Sequence, residues 1–509
     1  MKTSVLIVGA GPTGLTLAAE LQRRSVDCVI IDALEGPMSW DRATIVHPRT
    51  MELLSTVGLS DDLRDVGVHQ RFIDIFSGGE HLGRMDLAEV DSPFAFNVNV
   101  SEEVTERALS RHLHAQGGAV RYRHRLTGMD LTDAGVLARI EHAGEEYELE
   151  AEWIVGCGGL HSPVRELSGI PFEGHSIAQS WAVVDTTLAG WPFGHETNFA
   201  FLDHDSVILT PLPELRWRAY IRPTSDTSDL VEDASAVVRR YAPEVSLIDN
   251  ANPTRFHCHT KVATVYRRGR ALLAGDAAHV CSPAQGHGMN SGIQDSFNLA
   301  WKLALVCHGE ADPRLLDSYE AERRPVALKI TASGDGFETM QTLRDDDARA
   351  ERDAALRATF ADDAARHREI LGEAELDISY EDSPIIVPAV GGPAGVGAGH
   401  RLPAGIGLYP LLGTTHTAVV IGCDSARVAE TTSAIQDAYE REIDTVIPLA
   451  LDDPVLDPTV RSAADDLLGA ASMTILVVRP DAYIGVRSDD AGLEPVRRYL
   501  DLVRDGAAS

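Results

Sequence analysis

The chain has 509 residues, 44% of them hydrophobic, and its 45 Lys and Arg against 77 Asp and Glu leave a net charge of −32. At roughly 150 residues per domain this length implies two to four domains with ample material for a core, and the charge repels nucleic acid and anionic membrane surfaces. The six cysteines (28, 157, 258, 281, 307 and 423) form no CxxC pair, so no metal site or disulfide framework is expected and a cytoplasmic location suits them; no run approaches the ~18 apolar residues of a membrane span.

Ser4 to Val8 is an apolar run entering Gly9-Ala10-Gly11-Pro12-Thr13-Gly14, after which a helical pattern continues to Leu21. It lacks a signal-peptide cleavage pattern and reads as a buried parallel strand. In a strand–turn–helix unit Gly9 permits the turn, Gly11 lets the backbone approach a pyrophosphate and Gly14 allows close helix–strand packing. The helix N-terminus then favours the anion. A second run, Cys28 to Ile31, ends in Asp32 about 20 residues on, where a carboxylate can accept hydrogen bonds from a ribose. That order points to a dinucleotide.

Arg42, His47 and Arg49 stand at the start of a helix expected to close at Gly58, and cations there suit a nearby pyrophosphate. Residues 72–98 read as short strands, Val104 to Leu113 as an amphipathic helix carrying Arg107, and Val120–Leu126 with Gly135–Ile140 as a hairpin-like excursion. Trp153 to Val155 then runs into Gly156-Cys157-Gly158-Gly159, a second strand entering glycines. From 175 to 265 strands rich in Val, Ile, Phe and Trp predict an inserted sheet, which laid over a nucleotide domain makes a pocket. Gly269 to His279 is a buried strand ending in Gly275-Asp276, and Pro283 to Asn290 opens a helix predicted over Gly292–Val306. Backbone N–H groups at such a start can stabilise negative charge on a ring. A lone histidine beside glycines is more often structural than catalytic, so His279 and His287 are left out of the chemistry. Asp345-Asp346-Asp347 reads as a solvated face, Val390 to Gly405 as a linker, and Ala418–Gly422 and Met473–Val478 as buried strands. Gly395, Gly397 and Gly399 open no helix and make no second fingerprint.

Three stretches, GAGPTG, CGGLHSPVRELSGIPFEG and GRALLAGDAAHVCSPAQGHGMNSGIQDSFNLAWKLAL, resemble the single-component FAD-dependent aromatic hydroxylases, the group of phenol hydroxylase, pentachlorophenol monooxygenase and the polyketide hydroxylases. The resemblance implies an α/β fold: a Rossmann-like FAD-binding domain over 1–375, with an inserted mixed β-sheet substrate domain (mainly 72–98 and 175–265), and a thioredoxin-like C-terminal domain over 376–509. It places the ADP half of FAD on Gly9, Gly11, Gly14 and Asp32, with Arg42 and Arg107 near the phosphates and ribityl chain. Asp276 would hold ribityl hydroxyls, and the backbone of Gly288, Met289 and Asn290 would face the pyrimidine edge of the flavin. His47 and Pro283 are the candidate substrate-pocket residues, a backbone-bonded histidine at a helix start being the competing reading of the former. The implied activity takes NAD(P)H, O2 and a small phenolic or polyketide-like aromatic through a flavin C4a-hydroperoxide to a hydroxylated product. A Baeyer–Villiger oxygenase and a flavin-binding protein without turnover are the alternatives, and a homo-oligomer is compatible with the sequence. Two departures stand out: Gly158-Gly159 where the family has Asp-Gly, and Glu102 where it has glutamine.

Overall fold

The computed structural model describes residues 2–38, 43–388, 396–490 and 492–506, so Arg42 lies outside the described residues. At its centre Lys2–Val8 runs parallel between Cys28–Asp32 and Glu145–Gly156, with Val120–Tyr122 and Ala271–Leu273 added in parallel on either side. Val5, Leu6 and Ile7 are wholly buried because both sheet faces are covered. On one face the first helix, Pro12–Arg23, packs against the helix His287–Cys307. The expected hairpin divides at Arg123, whose φ of 62° turns the chain. Before it, Val120–Tyr122 joins the parallel sheet; after it, His124–Leu131 pairs with Val136–His142, which pairs with the outer half of Glu145–Gly156.

The two β-rich excursions meet in one seven-stranded sheet, ordered Ser246–Phe256, Trp181–Ala189, Arg216–Ile221, Val207–Leu212, Thr197–Phe201, Phe72–Ser77 and Glu80–Asp86. Asn97–Asn99, by contrast, is the middle strand of a small sheet with Ile45–Val46 and Val68–Gln70. Strand alternation gives the large sheet two apolar faces. Val207, Leu209 and Ala219 pack beneath the helix Leu230–Tyr241, while Trp181, Val183, Ile208 and Tyr220 face Ala284 of the turn Pro283–Gln285.

Asp345, Asp346 and Asp347 are all exposed, as expected of a solvated face, and Asp345 is also a helix cap: its side chain accepts from Ala348 N at 2.9 Å and opens Asp346–Ala361. Residues 390–395 of the stretch expected as a linker, including Gly395, lie outside the described residues, and in the remainder of it Ala398 and Leu402 are buried. The last sheet is ordered Ile443–Ala450, His416–Gly422, Met473–Val478 and Ile484–Asp489, its first pair parallel and the others antiparallel. Among the described residues no helix is long and apolar enough to cross a membrane.

Candidate active site

Parallel pairing brings the ends of Lys2–Val8, Glu145–Gly156 and Ala271–Leu273 to one edge, so the three glycine turns leave the sheet side by side. Each glycine there does a different job. Gly9 has φ 112°, and a Cβ on it would stand 2.3 Å from Cys157 O. A Cβ on Gly14 would stand 2.0 Å from Gly9 O, so both are required by the chain's own packing. Gly11 is different: the nearest described atom to its Cβ position is Glu106 Oε1 at 3.9 Å, which leaves room for a ligand. It is also the N-cap of the first helix and makes no side-chain cap bond, so the first-turn N–H groups point at that room. Asp32, at the end of the neighbouring strand, accepts from Ala10 N and Leu34 N, both at 2.8 Å, which fixes the carboxylate beside the turn.

The third turn is locked to the first. Cβ positions on Gly275 and Gly292 would fall 2.4 and 2.3 Å from Thr13 Oγ1, so Thr13 is clasped between them. Ser296 Oγ donates to Thr13 O at 2.8 Å from one turn further along the same helix. Asp295 organises the turn from beneath, accepting from Gly275 N at 3.0 Å and Arg323 Nε at 2.7 Å and lying 2.8 Å from His279 Nε2. Burial works to raise this carboxyl, but His279 and Arg323 outweigh it and hold it below its ordinary value. Asp276 stands exposed at the tip of the turn. His279 is thereby a support of the turn. As the one acidic residue of the helix His287–Cys307, Asp295 carried a signal in the sequence that could have singled it out.

Arg107, an expected cofactor residue, and Gly158, the departure from the family pattern, both lie at the surface. Arg107 is 57% exposed and pairs with Glu103 at 3.5 Å, whereas the residue of the Glu102–Ala115 helix that faces Gly11 is the buried Glu106. Helical periodicity places neighbouring residues on different faces, and the sequence pattern did not say which of the pair turned inward. Gly158 is exposed with φ −83°, and a Cβ there would meet nothing closer than Pro163 Cδ at 3.3 Å, so the glycine is not required by the backbone.

The second helix starts at His287, earlier than expected, because Gly286 at φ 72° supplies the left-handed cap that redirects the chain. Asn290 staples this start to the small sheet: Nδ2 donates to Ile45 O at 2.9 Å and Gly286 O at 2.8 Å, and Oδ1 accepts from His47 N at 3.0 Å. The Cβ position of Gly288 has only Cys281 Sγ near it among the described residues, at 4.0 Å. Met289 packs its side chain on the main core. Space therefore lies before two adjoining helix N-termini, one at Gly11 and one at Gly288. FAD, with a pyrophosphate and a pyrimidine edge that both accept hydrogen bonds, fits that pair of cradles.

His47 is fully buried. Its surroundings fix its hydrogen bonds: Phe72 O accepts from Gln70 Nε2 at 2.9 Å, so Gln70 Oε1 accepts from Asn97 Nδ2 at 3.0 Å. Asn97 Oδ1 then faces His47 Nδ1, and Gln285 O faces Nε2, both at 3.1 Å. Both ring nitrogens are thus engaged by protein oxygens. The ring clamps the small sheet to the turn carrying Pro283, which is half-buried where that turn meets the large sheet. Thr44 and Tyr220 hydroxyls, 2.9 Å apart, close the same seam.

Residues 2–333 match the FAD binding domain family. The chain is 32% identical to 6-methylpretetramide 4-monooxygenase of Streptomyces rimosus, over 96% of this chain and 91% of that one. It is 28% identical to the solved OxyS anhydrotetracycline hydroxylase from Streptomyces rimosus, with a TM-score of 0.77 over 100% of both chains. A ternary complex of aklavinone-11 hydroxylase with FAD and aklavinone gives a TM-score of 0.77 at 26% identity, over 99% of each chain. With its three glycine turns gathered at one edge and these relatives matching nearly its whole length, the chain belongs to the FAD-binding monooxygenase family and is a flavin-dependent aromatic hydroxylase.

Proposed function

We propose that the substrate is a fused-ring polyphenol of the polyketide type, held between the inner face of the seven-stranded sheet and the start of the His287 helix. What carries this reading is the seam itself, where Trp181, Val183, Ile208 and Tyr220 form an apolar roof over the Pro283–Gln285 turn. Such a roof suits a flat aromatic and keeps water from the reacting atoms. The relatives support the class: one is named for 6-methylpretetramide and another was solved with aklavinone.

FAD bound here would accept hydride from NAD(P)H and activate O2, the chemistry the protein cannot supply itself. The first-turn N–H groups after Gly11 would bind the pyrophosphate, Asp32 the ribose and Asp276 the ribityl hydroxyls. The backbone of Gly288 to Asn290 would orient the pyrimidine edge, and the ring of His47 would hold the two sheets together around the site without offering a free nitrogen to substrate. The order of the last sheet, with helices after its first, second and fourth strands in sequence, supports a thioredoxin-like C-terminal unit. Cys423, its one cysteine, is exposed and free, so the unit is read as a structural module without redox function. That all six thiols are free supports a reducing cytoplasm.

The test is to purify the protein, record its flavin spectrum and follow NADPH and NADH oxidation with tetracyclic and simple phenols. A yellow protein that converts a fused-ring phenol to a product one oxygen heavier, with all carbon rings retained, is the expected result. Turnover confined to single-ring phenols would overturn the substrate class, and ring expansion would indicate Baeyer–Villiger chemistry instead.

A further inference from the structure

The apolar roof over the Pro283–Gln285 turn ends in polar groups whose hydrogen bonds the fold leaves incomplete. Ala182 pairs with Ile221, so the next residues outward, Trp181 and Arg222, stand side by side on the large sheet. The guanidinium carbon lies 3.9 Å from the centroid of the indole ring. The last turn of the helix Asp317–Gln341 brings Glu338 and Gln341 against the same place. Arg222 Nη1 donates to Gln179 O at 3.2 Å, and Nη2 pairs with Glu338. Glu338 also accepts from Ser282 Oγ at 3.4 Å, which ties the cluster to the residue before Pro283.

Ser206 lies between the two elements. Its carbonyl accepts from Arg222 N at 3.0 Å, and its hydroxyl donates to Phe201 O at 3.0 Å. That hydroxyl therefore accepts from Gln341 Nε2 at 3.1 Å, and the amide oxygen is the atom left over. Trp181 Nε1 and Arg222 Nε, both donors, and Gln341 Oε1, an acceptor, have no hydrogen-bond partner among the described residues. All three side chains are buried, with Arg222 5% exposed. Burial lowers the guanidinium to about 10, which leaves it charged at neutral pH. Buried polar groups are almost always paired, because a lone one loses its hydration without compensation. Two donors and one acceptor beneath a roof shaped for a flat aromatic match a carbonyl flanked by an N–H. Glu338 balances the cation, so a neutral group suits the place better than a carboxylate.

We propose that Trp181, Arg222 and Gln341 are specificity-determining residues that hold a primary carboxamide on the substrate, its carbonyl oxygen accepting from Trp181 Nε1 and Arg222 Nε and its N–H donating to Gln341 Oε1. This rests on the reading that a fused-ring phenol lies against the inner face of the large sheet. The test titrates the FAD-loaded protein, without NAD(P)H, with 6-hydroxy-2-naphthamide, methyl 6-hydroxy-2-naphthoate, 6-hydroxy-2-naphthoate and 2-naphthol. The amide is expected to bind about tenfold tighter than 2-naphthol, with the ester between them and the carboxylate behind the amide. Trp181→Phe, which keeps a ring under the guanidinium, and Arg222→Lys, which keeps a charge facing Glu338, should each weaken amide and ester and leave 2-naphthol unmoved. Gln341→Met should erase only the lead of amide over ester. A structural cluster would move all four ligands together or none of them, which would overturn the proposal. Equal binding of amide and 2-naphthol by the unmodified protein also overturns it, with no variant needing to fold, and so does a carboxylate that outbinds the amide. In those cases the fused-ring reading stands. Absence of binding by every two-ring probe defeats that reading and the proposal with it.

Discussion

At the glycine edge the chain has removed side chains, leaving the N–H groups after Gly11 and the space before Gly288 open. Behind it, at a second seam where Arg479 and Asp481 pack against the helices His287–Cys307 and Asp317–Gln341, it has buried charges and given each a partner. Glu322 accepts from Arg479 at 2.7 and 2.8 Å, from Lys302 at 2.7 Å and from Ser383 at 2.6 Å. Asp481 accepts from Arg479, Asn298 and Trp301. Arg49, also fully buried, reaches Glu52 and the carbonyl of Asp481 at 2.9 Å each. Open donors await a ligand and satisfied ones hold a fold, so damage at the edge should appear in binding and damage at the seam in stability.

The largest expected effect is at the seam. Arg479→Met leaves Glu322 and Asp481 short of a buried cation and should cost about 3–5 kcal/mol in denaturant titration. A loss below about 1 kcal/mol would show that Lys302 suffices and that the seam is not the stabilising region.

At the edge, Gly158→Asp restores a carboxylate where the backbone tolerates one. An added charged hydrogen bond of about 1.5–3 kcal/mol should tighten FAD or speed its reduction by NAD(P)H in stopped-flow traces. Equal rates and affinities would mark the glycine as a neutral replacement.

Acid should act on the seam first. Burial and then Arg479 depress His416 to about 3, against an ordinary 6.5, and its ring packs edge-on against Trp301. The unfolded chain binds the extra proton between those values, so this stability is complete above pH 6.5 and falls away as the pH drops. By pH 5 the loss is about 2 kcal/mol. His416→Leu should flatten that part of the stability profile, and an unaltered slope would remove the histidine as its cause.

Gly11→Ala sharpens the contrast, because its Cβ enters open space: stability should change by less than about 0.5 kcal/mol while FAD affinity falls. Equal losses of both would erase the distinction between edge and seam. The smallest effect is expected from Cys423→Ser, which should leave turnover unchanged. A loss of activity beyond any loss of folded protein would give the last sheet a role in the chemistry.

Sequence by itself determined the glycine turn, its flanking strands and the acid at Asp32, because each is a local requirement: a positive φ at Gly9, a Cβ-free contact at Gly14 and an apolar run buried on both faces. The Gly275-Asp276 turn and the helix after it were legible for the same reason, although the helix start was read at Gly292 instead of His287. Tertiary structure alone decided which distant residues meet. Glu106 rather than Arg107 turns toward Gly11, Asn290 reaches His47 across 243 residues, Glu375 reaches His287 across 88 and Arg479 reaches Glu322 across 157. Such pairs leave no periodicity in the chain. They exist because the parallel strands and the helices returning between them bring distant segments together, where a buried polar group must find a partner or lose its hydration uncompensated.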